Sequence, residues 1–382
     1  MSSIRILTSS HVDEILSNLS PSLALESQSH VFKSFSTPSP SSSSTEGSQK
    51  RLQPVIQTPH RITVTSDETT MLFMPSRAPT ISEGKSTTTT AIKIVSVPQN
   101  NDGGLPGTTL VMDENSGKVK AIVNARKLTA LRNACGSALF LQQFPTPSPP
   151  LHLILFGSGA QCRSHATLIL KLHPSIEKVT FVVRSPTSRS ESLVKELSNS
   201  FPSVSIDSAV HPSSSSEGLD ELVGGGDIIV TATSSTNPLF NSNNLNSAKS
   251  IPKKGSRLIL IGSYKPIMHE IDRNLIEHSG IVVDSQEACA RESGELIDSS
   301  LETNDLIELG NILSGQNENE NQNENENADG SYKGKVYDRA GGKNGIIIFK
   351  SVGLGIQDVA ITKLVLEEAE RLNLGNVVEN YD

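Results

Sequence analysis

The stretch LHLILFGSGAQCRSHATLILKL, Leu151 to Leu172, joins an apolar, β-prone run to a helical pattern through two closely spaced glycines. In a dinucleotide-binding fold, Gly157 permits the tight turn out of the first strand and Gly159 lets backbone N–H groups approach a pyrophosphate. A helix beginning near Ala160 aims its positive dipole end at that anion. The third glycine of the fingerprint is replaced by Cys162, a residue small enough for close helix–strand packing.

About twenty residues further on, where an NAD-binding fingerprint places an acidic residue for the ribose 2′-hydroxyl, the run KVTFVVR (Lys178–Arg184) ends in a base. Arg184 and Ser185, with Arg189 close behind, suit charge-assisted bonds to a 2′-phosphate, so the expected cofactor is NADP(H), with NAD(H) as the alternative. A solvated loop arginine reads the same way in sequence.

Outward from this motif, strand-like runs recur at 153–157, 179–184, 204–209, 227–233, 257–262 and 281–284, with crossover helices expected at 160–173 and 188–200. Such alternation predicts an α/β domain with a parallel sheet covered on both faces. Thr231 and Thr233, at the end of the fourth run, are candidate cofactor contacts. The N-terminal third differs. ITVTSDETTMLFMPSR and AIKIVSVPQNN read as antiparallel strands, and GLPGTTLVMDENSGKVKAIVN reads as a hairpin turned at Glu114 to Lys118. A linking helix is expected over Arg126–Phe144. Asn344–Leu372 reads as a strand, a Gly-rich turn and an amphipathic helix that return to the N-terminal domain. The expected plan is therefore a substrate and dimerisation domain at 1–130, a dinucleotide domain at 131–314, and a tail at 344–382.

Of the 382 residues, 35% are hydrophobic, and two segments carry much of the polar excess. FSTPSPSSSSTEGSQK (Phe35–Lys50) and the NENENQNENEN tract within 315–343 cannot bury enough apolar surface to order themselves, and read as disordered insertions. The net charge of −8, four Tyr and no Trp argue against a nucleic-acid surface. The apolar runs are too short for a membrane span. Three isolated cysteines suit a reducing compartment, the cytoplasm, and neither they nor the nine histidines show metal-ligand spacing.

Three bases stand apart from the nucleotide motif: Arg61 in TPHRITV, Lys93 in AIKIVSV and Arg132 in TALRNACGSAL. Two guanidinium groups and an ammonium suit an α-amino or α-imino carboxylate, with one part clamping the carboxylate and the other donating a hydrogen bond or proton. Taken singly, each also reads as a surface cation or a packed stem.

PHRITV, LFMPSR, IKIVSV, LPGTTLVMDENSGKVKAIVNARKLTALRNACGSA, FGSGAQ, VDSQEACARESGEL and IFKSVGLGIQDVAITKL occur in the order, and nearly the wording, of the ornithine cyclodeaminase/mu-crystallin family, which the chain resembles outside its two insertions. The resemblance implies a Rossmann-type parallel-sheet domain plus an α+β domain built from the N-terminal part and the C-terminal tail, and a homodimer joined through the latter. It implies that Arg61 and Arg132 hold the substrate carboxylate while Lys93 contacts the substituent on the reacting carbon. It also implies that Gly157, Gly159, Ala160 and Gln161 cradle the pyrophosphate, with Ser351 and Val352 near the nicotinamide.

Family cyclodeaminases carry an Asp in the segment matching LIGSYKPIMHEID, where this chain has Tyr264; Glu270 and Asp272 lie further along it. That departure favours the mu-crystallin-like members, ketimine reductases. The leading expectation is an NAD(P)H-dependent reductase of small cyclic α-imino acids, or a related amino-acid dehydrogenase. Its rivals are an ornithine cyclodeaminase, forming proline and ammonia with bound NAD, and a non-enzymatic NADPH binder.

Overall fold

The computed structural model describes residues 3–37, 55–82, 85–98, 105–211, 217–245, 250–315 and 331–381. Most of the Ser/Pro-rich segment and the whole Asn/Glu tract lie outside these residues. The chain forms two compact units, residues 133–353 and residues 1–132 with 354–382.

The first unit is the Rossmann-type one. Its eight strands are all parallel, in the order Ile307–Glu308, Gly280–Val283, Ile347–Lys350, Arg257–Leu260, Ile228–Thr231, His152–Phe156, Lys178–Val183, Ser205–Val210. Central strands such as Ile228–Thr231 and Arg257–Leu260 are buried along their whole length, which is why they read as unbroken apolar runs rather than alternating ones. The order reverses between His152–Phe156 and Ile228–Thr231, and a parallel sheet opens a crevice at such a switch point, beyond the carboxyl ends of its strands. At the opposite end, buried Arg257 donates to the carbonyls of Phe144, Pro145, Gly255, Ser256, Lys343 and Gly345. One guanidinium thus ties two distant segments, 144–145 and 343–345, to its own.

The second unit is α+β. Its seven strands run in the order Asn376–Glu379, Ser3–Leu7, Val119–Asn124, Gly107–Met112, Lys85–Pro98, Thr69–Ser82, Ile62–Thr65. Helices Ser9–Asn18, Pro21–Ser36 and Gly355–Arg371 pack on one face. Period-two alternation buries Thr89, Ala91, Lys93 and Val95 beneath them. The opposite face is apolar and only half-covered: Phe73, Ile92, Ile94, Leu110 and Ile122 are half-buried, while Ile62 and Val64 are exposed.

Two expectations need correction. The strand Ile347–Lys350 does not go with the N-terminal unit; it lies in the parallel sheet between Arg257–Leu260 and Gly280–Val283. All four residues are buried, as a strand covered on both faces requires. The region 315–343 is not low-complexity throughout, because Tyr332–Arg339 is a helix capped by Ser331 and packed against Gly280–Val283. Among the described residues no helix is long and apolar enough to cross a membrane, and no cluster of His, Cys, Asp or Glu could hold a metal ion.

Candidate functional site

In the Rossmann-type unit, Gly157 has φ of +112° and donates its N–H to Val182, turning the chain out of the first strand. A Cβ there would also lie 3.2 Å from Cys162 Sγ, a tight approach added to the conformational demand. Gly159 is the N-cap of helix Ala160–Leu172; no side chain caps that end, and a Cβ at Gly159 would meet nothing within 4 Å. Gly159 and Ala160 are exposed. Buried Cys162 packs the helix against its strand, its Sγ 3.5 Å from the Phe156 carbonyl. Two polar atoms here are buried without partners: Gln161 Oε1 and Thr233 Oγ1. An open, uncapped helix end beside a left-handed glycine, with spare polar atoms next to it, fits a dinucleotide pyrophosphate.

Arg184 and Ser185 directly follow the second strand, two residues beyond the carbonyl that Gly157 engages, and both are exposed. Thr231 is buried at the end of its strand, its hydroxyl 3.5 Å from the Ile259 carbonyl. Ser351 donates to Asp284, which also accepts the Gly353 N–H, and Val352 is half-buried beside them.

A charge cluster unread in the sequence lies below this end of the sheet. The Lys350 ammonium, wholly buried, donates to the Ser263 carbonyl at 2.7 Å and to its hydroxyl, and stands 3.1 Å from Glu295 and 3.6 Å from Glu270. Burial works against that charge, but Glu295 and Glu270 outweigh it and hold Lys350 above its ordinary pKa. Glu270 accepts the N–H groups of Gly262 and Ser263; burial, reinforced by Glu295 and opposed by Lys350, pushes it up to about 7. Asp272 caps helix Arg273–Glu277 and accepts from Ser242. Both carboxylates near Tyr264 thus have structural employment, and Tyr264 itself is half-buried in the loop between them and the strand.

In the α+β unit, Lys93 and Arg132 come together. Lys93 is 3% exposed and Arg132 5%, and both converge on Asp358 of helix Gly355–Arg371. Asp358 Oδ1 lies 3.0 Å from Lys93 Nζ and 3.2 Å from Arg132 Nε. Gln357 accepts from Arg132 Nη1 at 3.0 Å, and its own carbonyl accepts from Gln28. Burial lowers the Lys93 pKa from 10.5 to about 8, with Asp358 opposing the fall and Arg132 adding to it. Here two buried cations share one carboxylate oxygen, an arrangement that suits an anionic ligand such as a carboxylate. Arg61 adjoins the same sheet. It is half-buried one residue before Ile62, so continuing the register puts it in the row of Met74 and Lys93, two strands over.

Comparison with known proteins identifies the family and agrees with the fold. An "Uncharacterized cyclodeaminase" of Dictyostelium discoideum is 30% identical over 295 residues, covering 74% of this chain and 77% of the relative. A Delta(1)-pyrroline-2-carboxylate reductase of Bacillus cereus is 28% identical over 326 residues, covering 82% and 86%. Among solved structures, the Thermococcus litoralis Delta(1)-pyrroline-2-carboxylate reductase in complex with NADH and L-proline aligns with a TM-score of 0.71 at 20% identity, covering 97% of this chain and 99% of that one. The sequence profile described as the ornithine cyclodeaminase/mu-crystallin family matches residues 42–326. With that match spanning well over half of its length, the chain belongs to the ornithine cyclodeaminase/mu-crystallin family.

Proposed function

We propose that this chain is an NAD(P)H-dependent oxidoreductase that reduces the C=N bond of small cyclic α-imino acids, working as a homodimer in a reducing compartment such as the cytoplasm. The observation that carries this reading is the buried Lys93–Asp358–Arg132 cluster, in which two cations share one carboxylate oxygen and so favour an anionic substrate. Arg132, oriented by Gln357 and Asp358, binds the substrate carboxylate with Arg61. Lys93 donates its proton to the ring nitrogen, leaves as the neutral amine and regains a proton from solvent; a pKa near 8 keeps it charged at neutral pH yet able to release the proton. The nicotinamide cofactor, when bound, supplies the hydride to the adjacent carbon.

Gly157, Gly159, Ala160 and Gln161 would hold the pyrophosphate, with Thr231, Thr233, Ser351 and Val352 toward the nicotinamide side. The exposed Arg184 and Ser185 would read the 2′-phosphate and favour NADPH. The half-covered apolar face bearing Ile92 and Ile94 supports dimerisation through the α+β unit. Three unpaired, buried cysteines suit the reducing compartment.

The deciding test is nucleotide oxidation with NADPH and NADH against Δ1-pyrroline-2-carboxylate and its six-membered homologue, beside an ammonia-release assay on L-ornithine. NADPH consumption without ammonia supports the reductase. Ammonia and proline without net change in nucleotide would make it a cyclodeaminase, a reading disfavoured by Tyr264 and by the structural roles of Glu270 and Asp272.

A further inference from the structure

We propose that Asp358 is a positioning residue that binds Lys93 and Arg132 into one unit and, through its charge, decides whether Lys93 is an ammonium when substrate arrives. The proposal rests on the reductase reading above, in which Lys93 gives up a proton.

The geometry is direct. A single oxygen, Asp358 Oδ1, serves both cations, at 3.0 Å and 3.2 Å, while Oδ2 is buried with no partner. Asp358 is itself 3% exposed, so solvent cannot substitute for it. Its place is set by Gly355, three residues earlier, where a Cβ would fall 2.1 Å from Ser76 Oγ; that close approach seats the first turn of the helix on the sheet. Gln357 fixes the same turn by accepting the Leu354 N–H while it holds Arg132.

The groups facing Lys93 are few. Its own sheet presents Met74 and Thr109 in register on either side, with Arg61 in the same row beyond Met74; helix Gly355–Arg371 presents Asp358, and helix Leu128–Gln143 presents Arg132. On helix Pro21–Ser36, Gln28 bonds the Gln357 carbonyl, while Glu26 and Lys33 act on His30. Asp358 is therefore the anion acting on Lys93 among the described residues, and its attraction exceeds the Arg132 repulsion. Without that charge, a buried ammonium beside a guanidinium reverts to the amine, which has no proton to give.

The test compares wild type, Asp358→Asn and Asp358→Glu. The pH dependence of kcat/KM is measured with NADPH and Δ1-pyrroline-2-carboxylate, and Lys93 is titrated by NMR in lysine-labelled protein, its signal assigned by its loss in Lys93→Met. Asp358→Asn should move both the basic limb and the Lys93 titration down by about one pH unit or more, a tenfold loss of the charged form on that limb. Asp358→Glu should restore most of the shift. If Asp358→Asn does not fold, Arg132→Met/Asp358→Asn retains the net buried charge, and Lys93 should still titrate below its wild-type value there. An unmoved Lys93 titration, or a lower rate with an unmoved limb, overturns the proposal. A wild type that oxidises neither nucleotide sinks the reductase reading instead, and the NMR titration still decides whether Asp358 governs Lys93.

Discussion

Lys93 Nζ donates to Asp358 Oδ1 at 3.0 Å across a sequence separation of 265 residues, with both side chains out of solvent. Replacing Lys93 by Met keeps the stem and removes the proposed proton donor. Turnover should fall by about 10²–10⁴-fold, while NADPH binding, followed by nucleotide fluorescence, stays near wild type.

The same variant has a stability signature. The folded-state pKa of Lys93 lies below its ordinary 10.5, at about 8, so between these values the unfolded chain binds more protons than the folded one. Wild type should gain stability relative to Lys93→Met as pH rises from 8 to 10.5, measured by urea unfolding at each pH. Equal pH slopes for the two proteins would mean that Lys93 is not depressed.

Arg184 tests the cofactor preference. It is exposed, so Arg184→Ser should leave stability almost unchanged. KM for NADPH should rise by roughly one to two orders of magnitude, the worth of a charge-assisted contact, with KM for NADH unaffected. A parallel rise for both nucleotides would remove Arg184 from the 2′-phosphate.

The buried triad predicts a pH effect of opposite sign. Glu270 sits at about 7 against an ordinary 4.5, so its stabilising contribution is complete at acid pH and is lost as pH rises through that window. Glu270→Gln should flatten this part of the stability profile. Lys350→Met strands two carboxylates and should cost about 3–5 kcal/mol in denaturant unfolding.

The half-covered sheet face gives a direct test of assembly. Ile92→Asp with Ile94→Asp puts two charges on the face opposite Lys93. If the chain is the dimer proposed above, light scattering should report a dimer for wild type and monomers for this variant, with the Rossmann-type unit still folded by circular dichroism. An unchanged mass would place any dimer contact elsewhere.

Much of this was legible in the chain. Gly157, Gly159 and the apolar runs of the parallel strands announce themselves because tight turns and two-sided burial constrain residue type locally. Lys93 and Arg132 could be named as bases of interest, but Asp358 could not. It stands on a helix with Glu367, Glu368 and Glu370, and nothing local separates the buried carboxylate from the more exposed ones. Glu270 was legible near Tyr264, but nothing in the chain linked it to Glu295 or to Lys350. The strand Ile347–Lys350 was visible as a strand but assigned to the wrong unit, because strand order in a parallel sheet is set by crossovers rather than by neighbours in sequence. Helices Ser9–Asn18 and Pro21–Ser36 were not anticipated; the first is capped by Thr8 and the second begins with proline, signals that could have revealed both.

The strand Ile347–Lys350 fills a slot between two strands made well before it, and Asp358 follows a few residues later. During synthesis the ribosome therefore releases a sheet with a gap at its centre and a pair of cations awaiting their anion. Neither unit can be completed vectorially, from the first residue onward. A chain interrupted between residues 283 and 347 leaves the edges of Arg257–Leu260 and Gly280–Val283 open to intermolecular strand pairing, so a premature stop there should yield aggregate rather than a usable half.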